Sequence, residues 1–409
     1  MKFWYKFLFL SVFVLAFTGC GKDDDDEDVA ADDVTTIVPP YHSLDMTTDD
    51  GKVTQLQKHK IGKGVPIVIM GDGFVDKDIK VGKYRDATNK ALEALFSVHP
   101  MKSLRDYFDV YEVTAVSYND FSGFMAIAED SPTFNTAFSV EIVTIAHETA
   151  PGAVGYSFEI KPGDNKKTIE YAKKAIDGNR IEDATIIMLV NADYARAICS
   201  HVTFNLSSSN NVEIPTGCSV AFVPLEDIKQ SNDYDISQTG FARTLLHEFG
   251  HAFGKLADEY ADEGNVWITD PDIDLIQTYQ HSGFSRNISL SSDVTKSYWA
   301  DFAADSRYEF ESLGCYEGAE HYSKGVYRAT KENMMCCNGD FNVVHRSMFY
   351  KRCMRIAFGD SWKYDYEDFV KFDLEKAKAE HEELRKLYPQ YSKSKCLCAP
   401  PVIVNKTAK

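Results

Sequence analysis

Apolar and polar positions along this chain keep two rhythms, one short and one helical. Val65 to Met70 reads as a strand, and the spacing from about Lys77 to Phe96 predicts a helix after it. Strand-like runs follow near Tyr107 to Val116 and Ile142 to Thr144. Lys166 to Ile176 then reads as a helix, Ala184 to Val190 as a buried strand and Val220 to Pro224 as another. Phe241, Leu245, Leu246, Phe249, Ala252, Phe253 and Leu256 give the next helix a broad apolar surface, with Thr239 or Ser237 placed to cap it. A helix this apolar sits inside a domain. Stretches rich in Gly, Ser and Asp from about 262 to 325 read as loops. Tyr364 to Leu387 reads as a charged helix that stops before Pro389 and packs along the domain, and the residues around Pro400-Pro401 read as extended. Strands and helices alternate up to the apolar helix, which predicts an α/β layer domain with a mixed sheet, a loop-rich second half and a site in the cleft between them. No internal repeat is present.

The first residues form a separate unit. Lys2 and Lys6 surround the start of an apolar stretch, Phe7 to Phe17, too short to span a bilayer and patterned as an export signal. It leads into Phe17-Thr18-Gly19-Cys20, which resembles a bacterial lipoprotein box, and the resemblance implies cleavage before Cys20 and its lipidation. The acidic run Gly21-Lys22-Asp23-Asp24-Asp25-Asp26-Glu27-Asp28 cannot pack and reads as a solvated tether. Acidic residues at that place are similar to the surface-export signals of Bacteroidetes-type lipoproteins. The expected division is a signal peptide at 1–19, an acidic tether at 20–58, a catalytic domain at 59–390 and a tail at 391–409. The expected place is the outer membrane of a Gram-negative cell, facing outward, with membrane contact only through the lipid.

Composition narrows the partners. The formal net charge is −18, and with no basic stripe to offset it this argues against nucleic acid as a ligand. With 44% hydrophobic residues, the chain can bury a substantial core. Setting Cys20 aside, eight of the nine cysteines remain, enough for up to four bridges in an exported protein. Cys199 with Cys218 is the expected pair, since they flank a Ser/Asn-rich loop between strand-like runs. Cys336-Cys337 forms no Cys-x-x-Cys pair to support a second metal site.

The chemistry is concentrated in His247-Glu248-Phe249-Gly250-His251. Residues four apart share a helix face, so His247 and His251 can turn both imidazoles toward one ion, with Glu248 beside a water on that ion. Catalytic zinc usually takes three protein ligands, so a third must come from elsewhere. A straight helix would carry Asp258 roughly 10 Å beyond His251, too far for a bond of about 2 Å. The chain must therefore turn, and Gly254 is the expected place. Asp258 and Glu259 are then the candidate third ligands.

The run through Tyr260 resembles the metzincin metallopeptidases, although their usual third-ligand position falls here on Ala257. It is more similar to the IgA-peptidase family of bacterial zinc metallopeptidases, which carries the same two histidines, glycine and Asp-Glu-Tyr. The likeness extends through Gly71-Asp72-Gly73-Phe74, Phe108-Asp109-Val110-Tyr111, Asn191-Ala192-Asp193-Tyr194, Tyr327-Arg328 and Glu332-Asn333-Met334-Met335, roughly residues 60 to 360. It implies a metzincin-like catalytic domain and one zinc per chain, held by His247, His251 and Asp258, with Glu259 the second choice. It also implies Glu248 as general base, Met335 (with Met334 behind it) as a floor under the metal, and Tyr260 packing near the third ligand.

The expected function is a zinc metallopeptidase acting on extracellular proteins or peptides. Two alternatives stand beside it: a non-catalytic surface lipoprotein that binds a host protein or glycan and keeps zinc for structure, and a metal-dependent amidase. His147, His201, His281, His321 and His345 have no ligand spacing and read as structural. Asp72 between two glycines suits a turn. The acidic stretch Asp270 to Asp274 lacks the spacing of a calcium loop, so structural calcium has no support.

Overall fold

The computed structural model describes residues 39–125, 133–150, 153–204, 206, 211–226, 239–262, 266–336, 339–391 and 398–403. The strands are β1 (Val53–Gln57), β2 (Val65–Asp72), β3 (Phe108–Val113), β4 (Glu141–Ala150), β5 (Ala153–Lys161), β6 (Thr185–Val190), β7 (Ala195–Arg196), β8 (Ile198–His201), β9 (Ser219–Pro224), β10 (Ile288–Ser289), β11 (Tyr316–Ala319), β12 (Tyr322–Arg328) and β13 (Val402–Ile403). The helices are α1 (Asp76–Lys80), α2 (Lys83–Leu95), α3 (Met101–Leu104), α4 (Asn165–Ala175), α5 (Gly240–Ala252), α6 (Asp270–His281), α7 (Ala300–Ala304), α8 (Val343–Phe358) and α9 (Tyr366–Tyr391).

Seven strands make the main sheet in the order β1-β3-β2-β6-β9-β8-β13. The inner pairs β3/β2, β2/β6 and β6/β9 are parallel, while β1/β3 and β9/β8 are antiparallel. This mixed α/β sheet bears out the coarse expectation. Its central strands are apolar throughout because both faces are covered. In β2, Val65, Ile67 and Ile69 enter the core on the side of α2, α5 and α8, whereas Val68 and Met70 enter the core on the other side, where Ala172 of α4 also packs. β6 divides in the same way, with Ile187 and Leu189 facing one side and Ile186, Met188 and Val190 the other.

Several elements differ from expectation. The helix expected over 77–96 is two helices, α1 and α2, because Gly82 takes a left-handed backbone (φ +83°) between them. The tether expected to reach 58 ends earlier: β1 lies on the sheet edge against β3, Val53 facing Val113, and its half-exposed, polar composition hides it from a pattern reading. The loop-rich stretch contains α6, whose first turn holds Asp270 and Asp272. Thr269 caps that helix, and Asp272 also accepts from Tyr322, 2.7 Å. α9 runs on past Pro389, and the tail contributes β13 to the main sheet. Cys199 and Cys218 are free, buried thiols rather than a bridge, pushed up in pKa by their burial; Cys398 is the described cysteine that is disulfide-bonded. Cys20, the apolar leader and Ser237 lie outside the described residues. No helix among the described residues is long and apolar enough to cross a membrane.

Asp72 does more than make a turn. Fully buried at the end of β2, its carboxylate accepts from Thr136 Oγ1 (2.7 Å), Ser117 Oγ (3.1 Å) and the amides of Phe138 and Val140 (3.1 and 3.0 Å). A second buried carboxylate, Asp373 on α9, joins α9 to α8 and to the loop before α3. It accepts from Arg346 Nε (2.7 Å) and Nη2 (2.9 Å), from His99 Nε2 (2.8 Å) and from the Tyr308 hydroxyl (3.1 Å). Burial opposes its charge, but Arg346 and His99 outweigh burial and hold the carboxyl well below its usual range. Such a group stabilises the fold above its unfolded pKa of about 4 and loses that contribution as the pH falls through its native value. Asp373→Asn should therefore lower unfolding stability at pH 7 by about 3 kcal/mol. In urea titrations the gap to wild type should be full at pH 7 and close progressively below about pH 4.

Candidate metal centre

α5 is positioned by burial of nearly its whole surface. It packs on β9, β8 and α2, and its first turn is closed by Thr239, whose hydroxyl accepts from the Ala242 amide, 3.1 Å. Every residue from Phe241 to Ala252 is buried, including His247, Glu248 and His251. Gly250 is required on this helix: a Cβ there would stand 2.7 Å from the sulfur of Met335. Met335, fully buried, thus lies directly against the turn between the two histidines.

The chain turns after α5, though not at Gly254. Lys255 takes the left-handed conformation (φ +58°), while the amides of Lys255 and Leu256 donate back to the carbonyls of His251 and Gly250, 3.1 and 3.2 Å. Gly254 serves a different need, since a Cβ on it would meet Phe349 at 2.6 Å and the Gly250 carbonyl at 2.7 Å. The strained backbone at Lys255 is held by its side chain. Its fully buried amino group, which burial holds well below the usual lysine pKa, donates to Ser219 Oγ (2.6 Å) and the Ala252 carbonyl, and lies 4.3 Å from the centre of the Phe204 ring.

This turn brings Asp258 back to the histidines. Asp258 Oδ1 is 3.0 Å from His247 Nε2 and 3.3 Å from His251 Nε2, and the two Nε2 atoms are 3.1 Å apart. Both rings are oriented from behind. His247 Nδ1 donates to the Met334 carbonyl (3.1 Å) and His251 Nδ1 to the Leu256 carbonyl (2.7 Å). With the Nδ1 positions protonated, both Nε2 atoms present lone pairs to each other and to a carboxylate. Three buried acceptors at such distances repel unless a cation lies among them, and a tetrahedral ion with bonds of about 2.0–2.1 Å sets its ligands roughly 3.3 Å apart. His247, His251 and Asp258 can therefore hold a metal ion.

Glu259, the other candidate, is committed elsewhere. Its Oε1 accepts from Asn287 (2.8 Å) and His345 Nε2 (2.6 Å), and its Oε2 from Asn333 (2.6 Å). The Glu259 amide also donates to the Met335 carbonyl, 2.9 Å. Glu259 thus ties the ligand turn to the Met335 segment and to α8. Tyr260 packs its ring edge-on against His321, with centroids 4.7 Å apart.

His321 was not legible from spacing. It follows Glu320 at the tip of the β11/β12 hairpin, both residues with positive φ (48° and 68°), an arrangement usually given to Asn-Gly. The tip pairs with the ligand segment: the Glu320 amide donates to the Asp258 carbonyl (2.9 Å) and the His321 amide to the Tyr260 carbonyl (3.0 Å). The ring spans two carboxylates, with Nε2 3.3 Å from Asp258 Oδ2 and Nδ1 2.8 Å from Asp262. Burial opposes protonation of His321, but Asp258 and Asp262 prevail and lift it to about 9. His201 remains structural, bonded to Ser219 (2.8 Å) between the Phe204 and Phe284 rings.

Glu248 is held differently from Glu259. Both of its carboxylate oxygens are buried and neither has a hydrogen-bond partner among the described residues. Burial lifts its pKa to about 8, although His247 pulls it down. A carboxylate in that state is suited to exchanging a proton near neutral pH.

No protein-family model matches this chain, and no curated protein matches it. Two substitutions separate the roles of the adjacent acids. With Zn²⁺ added as the probe ion, Asp258→Ala should weaken binding at least 100-fold in competition titrations with a chelator, whereas Glu259→Gln should leave that binding in place and instead lower thermal stability by about 3 kcal/mol. His321→Ala should weaken binding of the probe roughly 10- to 100-fold through loss of support for Asp258.

Proposed function

We propose that this protein is a zinc-dependent peptidase with a metzincin-like site, exported and lipid-anchored at Cys20, that hydrolyses peptide bonds of extracellular proteins. The observation that carries this reading is Glu248. A site built only to hold a metal needs His247, His251 and Asp258, and gains nothing from a buried carboxylate with no partner, which costs roughly several kcal/mol to desolvate if charged. Bound zinc supplies a Lewis acid that polarises a carbonyl and brings the pKa of a water toward about 7. Glu248, buried beside those ligands, would accept a proton from an attacking water and return it to the departing amine. The low-dielectric surroundings strengthen both transfers. Asp258 balances part of the metal charge, and His321 fixes Asp258 in turn. Two buried imidazoles and one carboxylate with no thiolate suit zinc among the common ions. The substrate is left at the level of peptide bonds, because pocket shape decides specificity.

A second reading has its own observation. His247, Glu248, His251 and Asp258 are each 0% exposed, as expected of a surface binding protein that keeps zinc for structure. Glu248→Gln separates the two. The peptidase reading expects one zinc per chain in both forms and a fall in kcat of about 10³-fold on a diverse peptide library read by mass spectrometry. Zinc in both forms with no cleavage by wild type, even after the site is uncovered, would establish the binding protein.

A further inference from the structure

The buried metal centre is covered by a particular part of the chain. We propose that the segment Cys398–Ile403 is a resident strand, filling the sheet edge along which a substrate peptide approaches the metal and keeping the site closed until it is displaced. The covering stands on geometry alone; the purpose of the edge rests on the peptidase reading.

β8 would otherwise be the edge of the main sheet beside α5, and its backbone groups would be open to any extended peptide. They are taken by the chain itself. Val402 lies opposite Ser200 and Ile403 opposite His201 in a parallel pair, Cys398 bridges to Ala197, and the Ala399 amide donates to the Ala197 carbonyl, 2.7 Å. A clamp fixes the start of the segment. Arg196 Nε and Nη2 donate to the Cys398 carbonyl (3.1 and 2.5 Å), while Nη1 donates to Glu159, 3.0 Å. A guanidinium so held recognises one peptide carbonyl in an extended chain, whichever chain supplies it.

The segment also reaches the chemistry. The sulfur of Cys398 lies within 4.8 Å of ligand-type atoms of both His247 and Glu248. Because Cys398 is disulfide-bonded, its sulfur offers no thiolate, so it acts as a cover and not as a ligand. Cys398 and Ala399 are buried, whereas Val402 is 38% exposed, so the segment is seated at the metal end and loose at the other. The backbone bonds of its two-residue strand, each worth about 1 kcal/mol, can be given up to a competing peptide, while the disulfide of Cys398 keeps the displaced segment tethered.

The test uses the zinc-loaded full chain and the rate at which a chelating dye, 4-(2-pyridylazo)resorcinol, removes zinc. Val402→Pro and Ala399→Pro each remove a strand amide and should speed removal at least tenfold, with peptide cleavage rising alongside. Unchanged removal in variants that keep the wild-type circular dichroism spectrum would overturn the proposal. Faster removal without cleavage would uphold the cover and count against the peptidase reading. Should both variants misfold, hydrogen exchange on the wild type decides: zinc must leave no faster than the Ala399 amide opens, and faster departure would overturn the cover.

Discussion

Three electron-rich atoms are forced together in the interior of this protein, and much of the surrounding structure exists to keep them there. Two imidazole nitrogens and a carboxylate oxygen would separate if left to themselves. Carbonyls from Met334 and Leu256 set the ring orientations, Lys255 holds a strained turn, and the hairpin tip at Glu320-His321 presses Asp258 into place. Such convergence suits a cation held among the three atoms, and the residues can hold a metal ion.

The division between Asp258 and Glu259 shows how neighbours of the same chemistry are given opposite duties. Asp258 turns its carboxylate oxygens to His247, His251 and His321, and its carbonyl accepts from the Glu320 amide. Glu259 has its carboxylate saturated by Asn287, Asn333 and His345, which makes it a bracket between three parts of the chain. A single step along the backbone reverses side-chain direction, and the turn at Lys255 decides which acid faces the ion.

What the sequence disclosed follows from burial. Strands covered on both faces stand out through their apolar runs, such as Val65–Met70 and Ile186–Val190, as does α5 with its spaced histidines. Strand β1 is hidden because an edge strand carries polar residues, and α8 because its buried faces include His345, Arg346 and Arg352, whose polar groups bond distant partners and break the apolar rhythm. His321 could not be found by spacing, since a hairpin and not a helix delivers it. The turn was assigned to Gly254 on propensity, whereas the packing of Phe349 claimed that glycine and left the left-handed residue to Lys255. Local preference gave way to tertiary contact.

The contact between Met335 and Gly250 carries a further meaning. The ring of His247 is aimed by a carbonyl that lies 87 positions later in the chain, beside a sulfur seated on the helix turn between the two histidines. The nascent helix alone cannot present a competent pair of ligands. An ion held there would be captured only after the second half of the chain had closed on the first, and occupancy of the centre would then be a register of completed assembly. Lesions far from the ion that loosen the Met334-Met335 turn would appear as deficient metallation before they appear as unfolding.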